Sequence, residues 1–170
     1  FFGADLSNKD LSNADLANIN FRKSDFSNSD LTGAILTNSF FNDSDLSETI
    51  LEDIDAENSQ WCRAFIENTS FQRSNLHKAN FNGADLNNVD FSFATLSEIQ
   101  FKKSNQKSIT YVSTNLEQSK FSHSQIETCQ FEDVNLNDSK FPLASLQNSN
   151  FLKSEMQNCN FALAQITNCQ

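Results

Sequence analysis

The residue types that most often carry chemistry are few in this chain and scattered along it. His77 and His123 are its two histidines, and Cys62, Cys129, Cys159 and Cys169 its four cysteines. Asp5, Asp25 and Asp45 recur every 20 residues. Carboxylates brought side by side at such a spacing would raise one another's pKa and could do acid-base work or hold a cation. No Gly-rich phosphate loop, nucleophile motif or zinc-ligand spacing occurs. The plainer reading of each Asp is a repeated turn residue that hydrogen-bonds the adjoining backbone. No catalytic residue, cofactor or metal site is therefore expected.

What must position these residues is a repeat of five. From Phe1 to Ile166 every fifth residue belongs to one series, and 32 of its 34 members are large and apolar or aromatic, beginning Phe1, Leu6, Leu11, Leu16, Phe21. The exceptions are Ala56 and Gln106. A small or apolar residue, mostly Ser or Ala, stands two places before nearly every centre, as in Ala14-Asp15-Leu16-Ala17-Asn18 and Ala84-Asp85-Leu86-Asn87-Asn88. A period of five suits neither the 3.6-residue helix nor a long two-residue strand. It suits a short extended piece plus a turn, with the centre and the residue two before it pointing inward and the other three positions outward.

These units resemble the pentapeptide-repeat family, Ala-(Asp/Asn)-Leu-X-X, over essentially the whole chain. The resemblance implies an all-β fold, a right-handed quadrilateral parallel β-helix of about 8.5 coils with 20 residues per coil, roughly 40 Å long at the usual strand spacing. Residues 20 apart should then stack. The ladder Phe1, Phe21, Phe41, Trp61, Phe81, Phe101, Phe121, Phe141, Phe161 is aromatic throughout, whereas Leu16, Leu36, Ala56, Leu76, Leu96, Leu116, Leu136, Met156 contains no aromatic residue. Ala56 precedes the unit of Trp61, which suggests volume compensation. Lys9, at an inward position, should reach solvent from the first coil, and Gln106 needs an internal partner. Cys129 and Cys169 share a ladder two coils apart, about 9.6 Å, beyond a disulfide's reach; free thiols in a cytoplasmic or otherwise reducing compartment are expected. Residues 1–170 read as one domain. Phe1 falls in mid-repeat without a Met, and the expectation is a domain cut from a longer protein or one whose caps are missing.

The net charge is -10, from 22 acidic and 12 basic residues. So acidic a chain is not expected to bind nucleic acid directly, and no apolar run is long enough to span a membrane. Sorted by ladder, the charge is uneven. The side built on Phe1 carries Arg22, Lys23, Arg63, Lys102, Lys103, Lys120 and Lys140 against Asp43, a net of +6. The other three hold seven acids each and sum to -6, -4 and -6. Among these acids are Asp5, Asp25, Asp45 and Glu48 on the second side, Asp10, Asp30, Glu52 and Asp53 on the third, and Asp15, Asp55 and Glu57 on the fourth. Apolar residues at outward positions near the end, Pro142, Leu143, Leu152, Ala162 and Leu163, predict a homodimer contact or a seat for a neighbouring domain.

Two functions fit. One is a non-catalytic interaction module, a rigid charged rod that binds a protein partner. The family resemblance permits this, since such repeats occur in adaptor-like proteins and secreted effectors, so a secreted effector fragment stays open. The alternative implied by the resemblance is a DNA mimic of the quinolone-resistance type, which binds a type II topoisomerase such as DNA gyrase. The +6 side makes that match partial.

Overall fold

The computed structural model describes residues 1–170. Its architecture follows from the corner of each five-residue unit. The second residue after every centre has a positive φ, from Gly3 at 64° and Asn8 at 56° through Lys103 at 59° to Asn168 at 53°. This left-handed residue turns the chain through a corner, and Asn and Asp fill many of these places because their short polar side chains tolerate it. The turn is commonly closed by a hydrogen bond from the residue three after the centre, as when Ser24 N–H donates to Phe21 O at 3.1 Å. Four corners close one square coil, and the next begins 20 residues on.

Coils are held to one another by parallel bridges between residues 20 apart, from Asp5 with Asp25 onward. Around Leu6, its N–H donates to Asp25 O at 2.8 Å, Asp25 N–H donates to Ala4 O at 3.0 Å, and Asn8 N–H donates to Ser27 O at 2.9 Å. The ladder therefore continues around the corners. Where pairing lengthens into strands these are β1 (Phe65–Ser70), β2 (Asp85–Asp90), β3 (Asn105–Lys107), β4 (Thr110–Val112), β5 (Gln125–Glu127), β6 (Gln130–Glu132), β7 (Ser145–Gln147) and β8 (Gln165–Thr167). They join in one parallel sheet spanning about five turns, with Phe65 opposite Asp85 and Leu146 opposite Ile166. Single-residue bridges at the same spacing carry the ladder back toward the first coil.

Two columns of rings run through a core otherwise filled mainly by Leu, Ile, Val and Ala. In the expected column, Phe41 stacks on Trp61 at 4.2 Å and Trp61 on Phe81 at 5.4 Å. A second column, half a coil away, runs Phe71, Phe91, Tyr111, Phe131, Phe151 and meets the first edge-on, as Phe71 does Phe81 at 80°. Each stacked pair adds about 0.5–1.5 kcal/mol beyond the burial of its surface. Inward serines sit beside the rings at little cost because their hydroxyls donate to turn carbonyls, Ser104 to Phe101 O at 2.7 Å and Ser74 to Leu51 O at 2.8 Å. Gln106 finds the partners its burial requires: Nε2 donates to Ser104 Oγ at 3.0 Å, and Oε1 accepts from the Tyr111 hydroxyl at 2.9 Å. Ser59 links the small centre to the large one that follows it, donating to Ala56 O at 2.5 Å and accepting from Trp61 Nε1 at 2.6 Å. Lys9 is exposed.

Candidate functional site

The groups with intrinsic reactivity are spread apart. His77 Nδ1 lies 2.8 Å from Ser97 Oγ and its Nε2 4.0 Å from Glu98, whereas His123 stands on a different corner with φ 59°. No group of three His, Cys, Asp or Glu residues is arranged to hold a metal. All four cysteines are free. Burial pushes the Cys129 thiol up to about 12 and also raises Cys62 and Cys159, so none of these three is poised as a nucleophile.

The aspartate column behaves as a set of turn residues. Asp5 Oδ1 accepts from Ser7 Oγ at 2.7 Å and from Ser7 N–H at 3.1 Å, and Asp10 does the same with Ser12. These hydrogen bonds hold both carboxyls below the ordinary carboxylate range, the Ser hydroxyl having the largest effect. That is opposite in sign to the rise that stacking of like charges suggests. In both loops the Ser two places later supplies two donors, its hydroxyl and its N–H, to a solvated carboxylate.

Outward charge occupies two kinds of position. The residue before each centre lies mid-side, where Asp5, Asp25 and Asp45, Asp10 and Asp30, and Asp15 and Asp55 stand in the bridges. The two residues after each centre form the corners, and there lie Glu48, Glu52, Asp53 and Glu57. Arg73 gathers part of that corner charge, placing Nη2 2.7 Å from Glu52 and 2.9 Å from Asp53.

The seven basic residues separate in the same way. Lys120 and Lys140 are mid-side and line a groove of about 470 Å³ with Glu98 and Asp138, which offset them locally. Arg22, Lys23, Arg63, Lys102 and Lys103 all lie on the corner that follows the Phe1 ladder, so the basic side is concentrated into one edge. Two of these cations are steadied by aromatic rings: Arg22 lies 4.6 Å over Phe40 and Lys23 5.7 Å over Phe2. Arg63 is gripped by Asp43, with Nε and Nη2 each 2.7 Å from a carboxylate oxygen. The pair raises the Arg63 pKa and lowers that of Asp43.

Pro142, Leu143, Ala162 and Leu163 continue this edge toward the end of the rod, Leu143 48% and Leu163 80% exposed. Leu152 is not among them. It follows a centre ten residues away, half a coil, and so occupies the diagonally opposite corner; the structure does not bring the five residues into one patch. Two further features mark the surface, of which the second, Gly83, was missed from the sequence. Phe93, 59% exposed at a positive φ of 63°, stands on the corner of Arg73. Gly83, at φ 70°, interrupts the basic edge and leaves a notch of about 390 Å³ among Arg63, Asn82, Lys102 and Lys103. Its signal was legible: Lys23, Arg63, Gly83 and Lys103 stand at multiples of 20.

A family model described as pentapeptide repeats matches residues 1–38, 24–60, 69–105 and 129–169, in 8 copies. No curated protein sequence matches the chain. Among solved structures, full-length QnrB1, a plasmid-mediated fluoroquinolone resistance protein, superposes with a TM-score of 0.60 at 16% identity, covering 98% of this chain and 84% of that one. A trypsin-treated variant of QnrB1 gives 0.58 at 15% identity, with 98% and 81% covered. A pentapeptide repeat protein from the Arabidopsis thaliana thylakoid lumen gives 0.48 at 26% identity, with 61% and 68% covered. At these identities the QnrB1 likeness establishes the fold.

Proposed function

Because the chain belongs to the pentapeptide-repeat family, we propose that it is a non-catalytic interaction module, a stiff rod that binds a protein partner through its charged exterior. The observation that carries this reading is the concentration of Arg22, Lys23, Arg63, Lys102 and Lys103 on one edge of a chain whose net charge is -10. Support also comes from a backbone whose bonds run from coil to coil, which suits a surface that changes little on binding. Affinity capture from cells of the source organism tests it, comparing the native rod with one in which the seven cations of the basic side are changed to Gln. A partner identified with the native rod should fall away with the neutral one and should bind when both are purified. Partners indifferent to the change would remove the basic side from consideration.

A second reading rests on the three net-acidic sides and the likeness to QnrB1. On it, the rod mimics DNA and engages a type II topoisomerase such as gyrase. The acidic columns favour it, and the basic edge opposes it, since a duplex is negative on every side. Inhibition of gyrase supercoiling by the purified rod, or relief of quinolone inhibition, is the expected result. Neither effect at saturating protein would end the reading.

A further inference from the structure

The notch at Gly83 interrupts the corner column in its middle. On either side along the edge stand Arg63, one coil before, and Lys103, one coil after, with Lys102 beside it. The missing side chain is what opens the space, because a Cβ built on Gly83 would come 3.4 Å from Arg63 Cγ and a longer side chain would fill the gap. The notch has no apolar lining residue. Lys102 and Lys103 make no ion pair. Arg63 is held in place by Asp43 through Nε and Nη2, which leaves Nη1 outside that pair. Asn82 Oδ1 accepts the Lys102 N–H at 2.8 Å and so ties down the floor beside Gly83. The result is a small recess bounded by one oriented guanidinium and two unpaired ammonium groups, a geometry suited to a carboxylate.

We propose that the edge from Arg22 to Lys103 is a docking track for an acidic protein segment, one carboxylate of which seats in the notch at Gly83. This deepens the module reading and rests on it. The width of the track selects the partner. The cations stand in a column one corner wide, flanked on the adjoining side by Asp5, Asp25 and Asp45, so a duplex laid along it would set phosphates against those carboxylates. A single extended chain avoids them. The pairs Arg22 with Lys23 and Lys102 with Lys103 are four coils apart, about 19 Å at the strand spacing, which an extended segment covers in about six residues. A segment with acidic residues at that separation reaches both pairs while a carboxylate between them enters the notch.

Fluorescence anisotropy of a labelled polyglutamate peptide, at low salt, reads this directly. The Lys102→Ala/Lys103→Ala protein should bind about five- to tenfold more weakly, the loss expected for a few partly solvated ion pairs. Gly83→Asn should also weaken binding by filling the recess, and Gly83→Asp should weaken it further by adding a charge. Both side chains suit this corner, since Asn68, Asn88 and Asp43 already hold a positive φ of 53–61°, and circular dichroism will confirm that each variant folds. Lys107→Ala/Lys153→Ala, changed on other corners, should bind like the native protein. Binding unaffected by both Gly83 changes overturns the notch, and oligothymidine binding more tightly than polyglutamate overturns the acidic protein segment. If a captured partner is lost on neutralising the seven cations while the Gly83 and Lys102/Lys103 changes leave polyglutamate binding untouched, the track fails and the module stands. A partner that ignores all seven overturns the module, whatever the peptide does.

Discussion

Removing the phenol oxygen of Tyr111 isolates a fully buried side-chain hydrogen bond in the core. Gln106 and Tyr111 are both fully buried. Gln106 Oε1 accepts from the Tyr111 hydroxyl, Nε2 donates to Ser104, and Ser104 passes the chain on to Phe101 O. Burial keeps the phenol protonated, because its pKa lies well above the ordinary value. Tyr111→Phe leaves the ring stacked between Phe91 and Phe131, at 5.4 and 4.8 Å, but orphans the Gln106 oxygen. An unsatisfied buried acceptor costs about 1–3 kcal/mol. Gln106→Leu, matching its ladder neighbours Leu86 and Ile126, orphans the phenol at a similar cost. Changing both replaces a hydrogen-bonded pair by apolar groups of like shape, which is nearly neutral. The double variant should therefore be more stable than the sum of the two single losses predicts, by about 2–6 kcal/mol. Urea unfolding followed by circular dichroism measures this, with hydrogen exchange across residues 105–112 as a local readout, since stacked repeats can unfold piecemeal. Additive losses would refute the reasoning.

Other expectations follow from the same geometry. Asp5, Asp10, Asp43 and Asp53 all have lowered pKa values, the last two chiefly through hydrogen bonds from Arg63 and Arg73. Their contribution to stability is complete above the ordinary value of 3.8 and is lost as pH falls through the lower folded values; the melting temperature should drop over that range, less steeply in an Asp43→Asn/Asp53→Asn protein. Cys129, with its thiol pushed up to about 12, should resist iodoacetamide at neutral pH until the protein is unfolded in urea, as mass spectrometry will show. Ala56→Leu should cost about 1–3 kcal/mol by overpacking, and Trp61→Phe in the same chain should recover part of that, measured by thermal melts.

The fold was legible because one period carries both signals that define it, inward bulk at the centre and at the residue two before it. The ladder spacing of 20 also exposed the Phe1 column, and the same test applied to Phe71, Phe91, Tyr111, Phe131 and Phe151 reveals the second column. Surface reading was weaker for a geometric reason. Assigning each residue to its nearest centre merges mid-side and corner positions, so Lys120 and Lys140 joined five cations that in fact stand on an edge. Counting by proximity in the last coils likewise placed Leu152 with Leu143, although half a coil separates their corners. Gly83 was passed over because a missing side chain matters only once its neighbours along the column are known.

Lysine acetylation footprinting of the rod, free and bound to its captured partner, bears most directly on the claim that the basic edge is the contact. Protection of Lys23, Lys102 and Lys103, with Lys9, Lys107 and Lys153 still reacting, is the predicted pattern. Unchanged reactivity along the edge in a fully bound sample would contradict it.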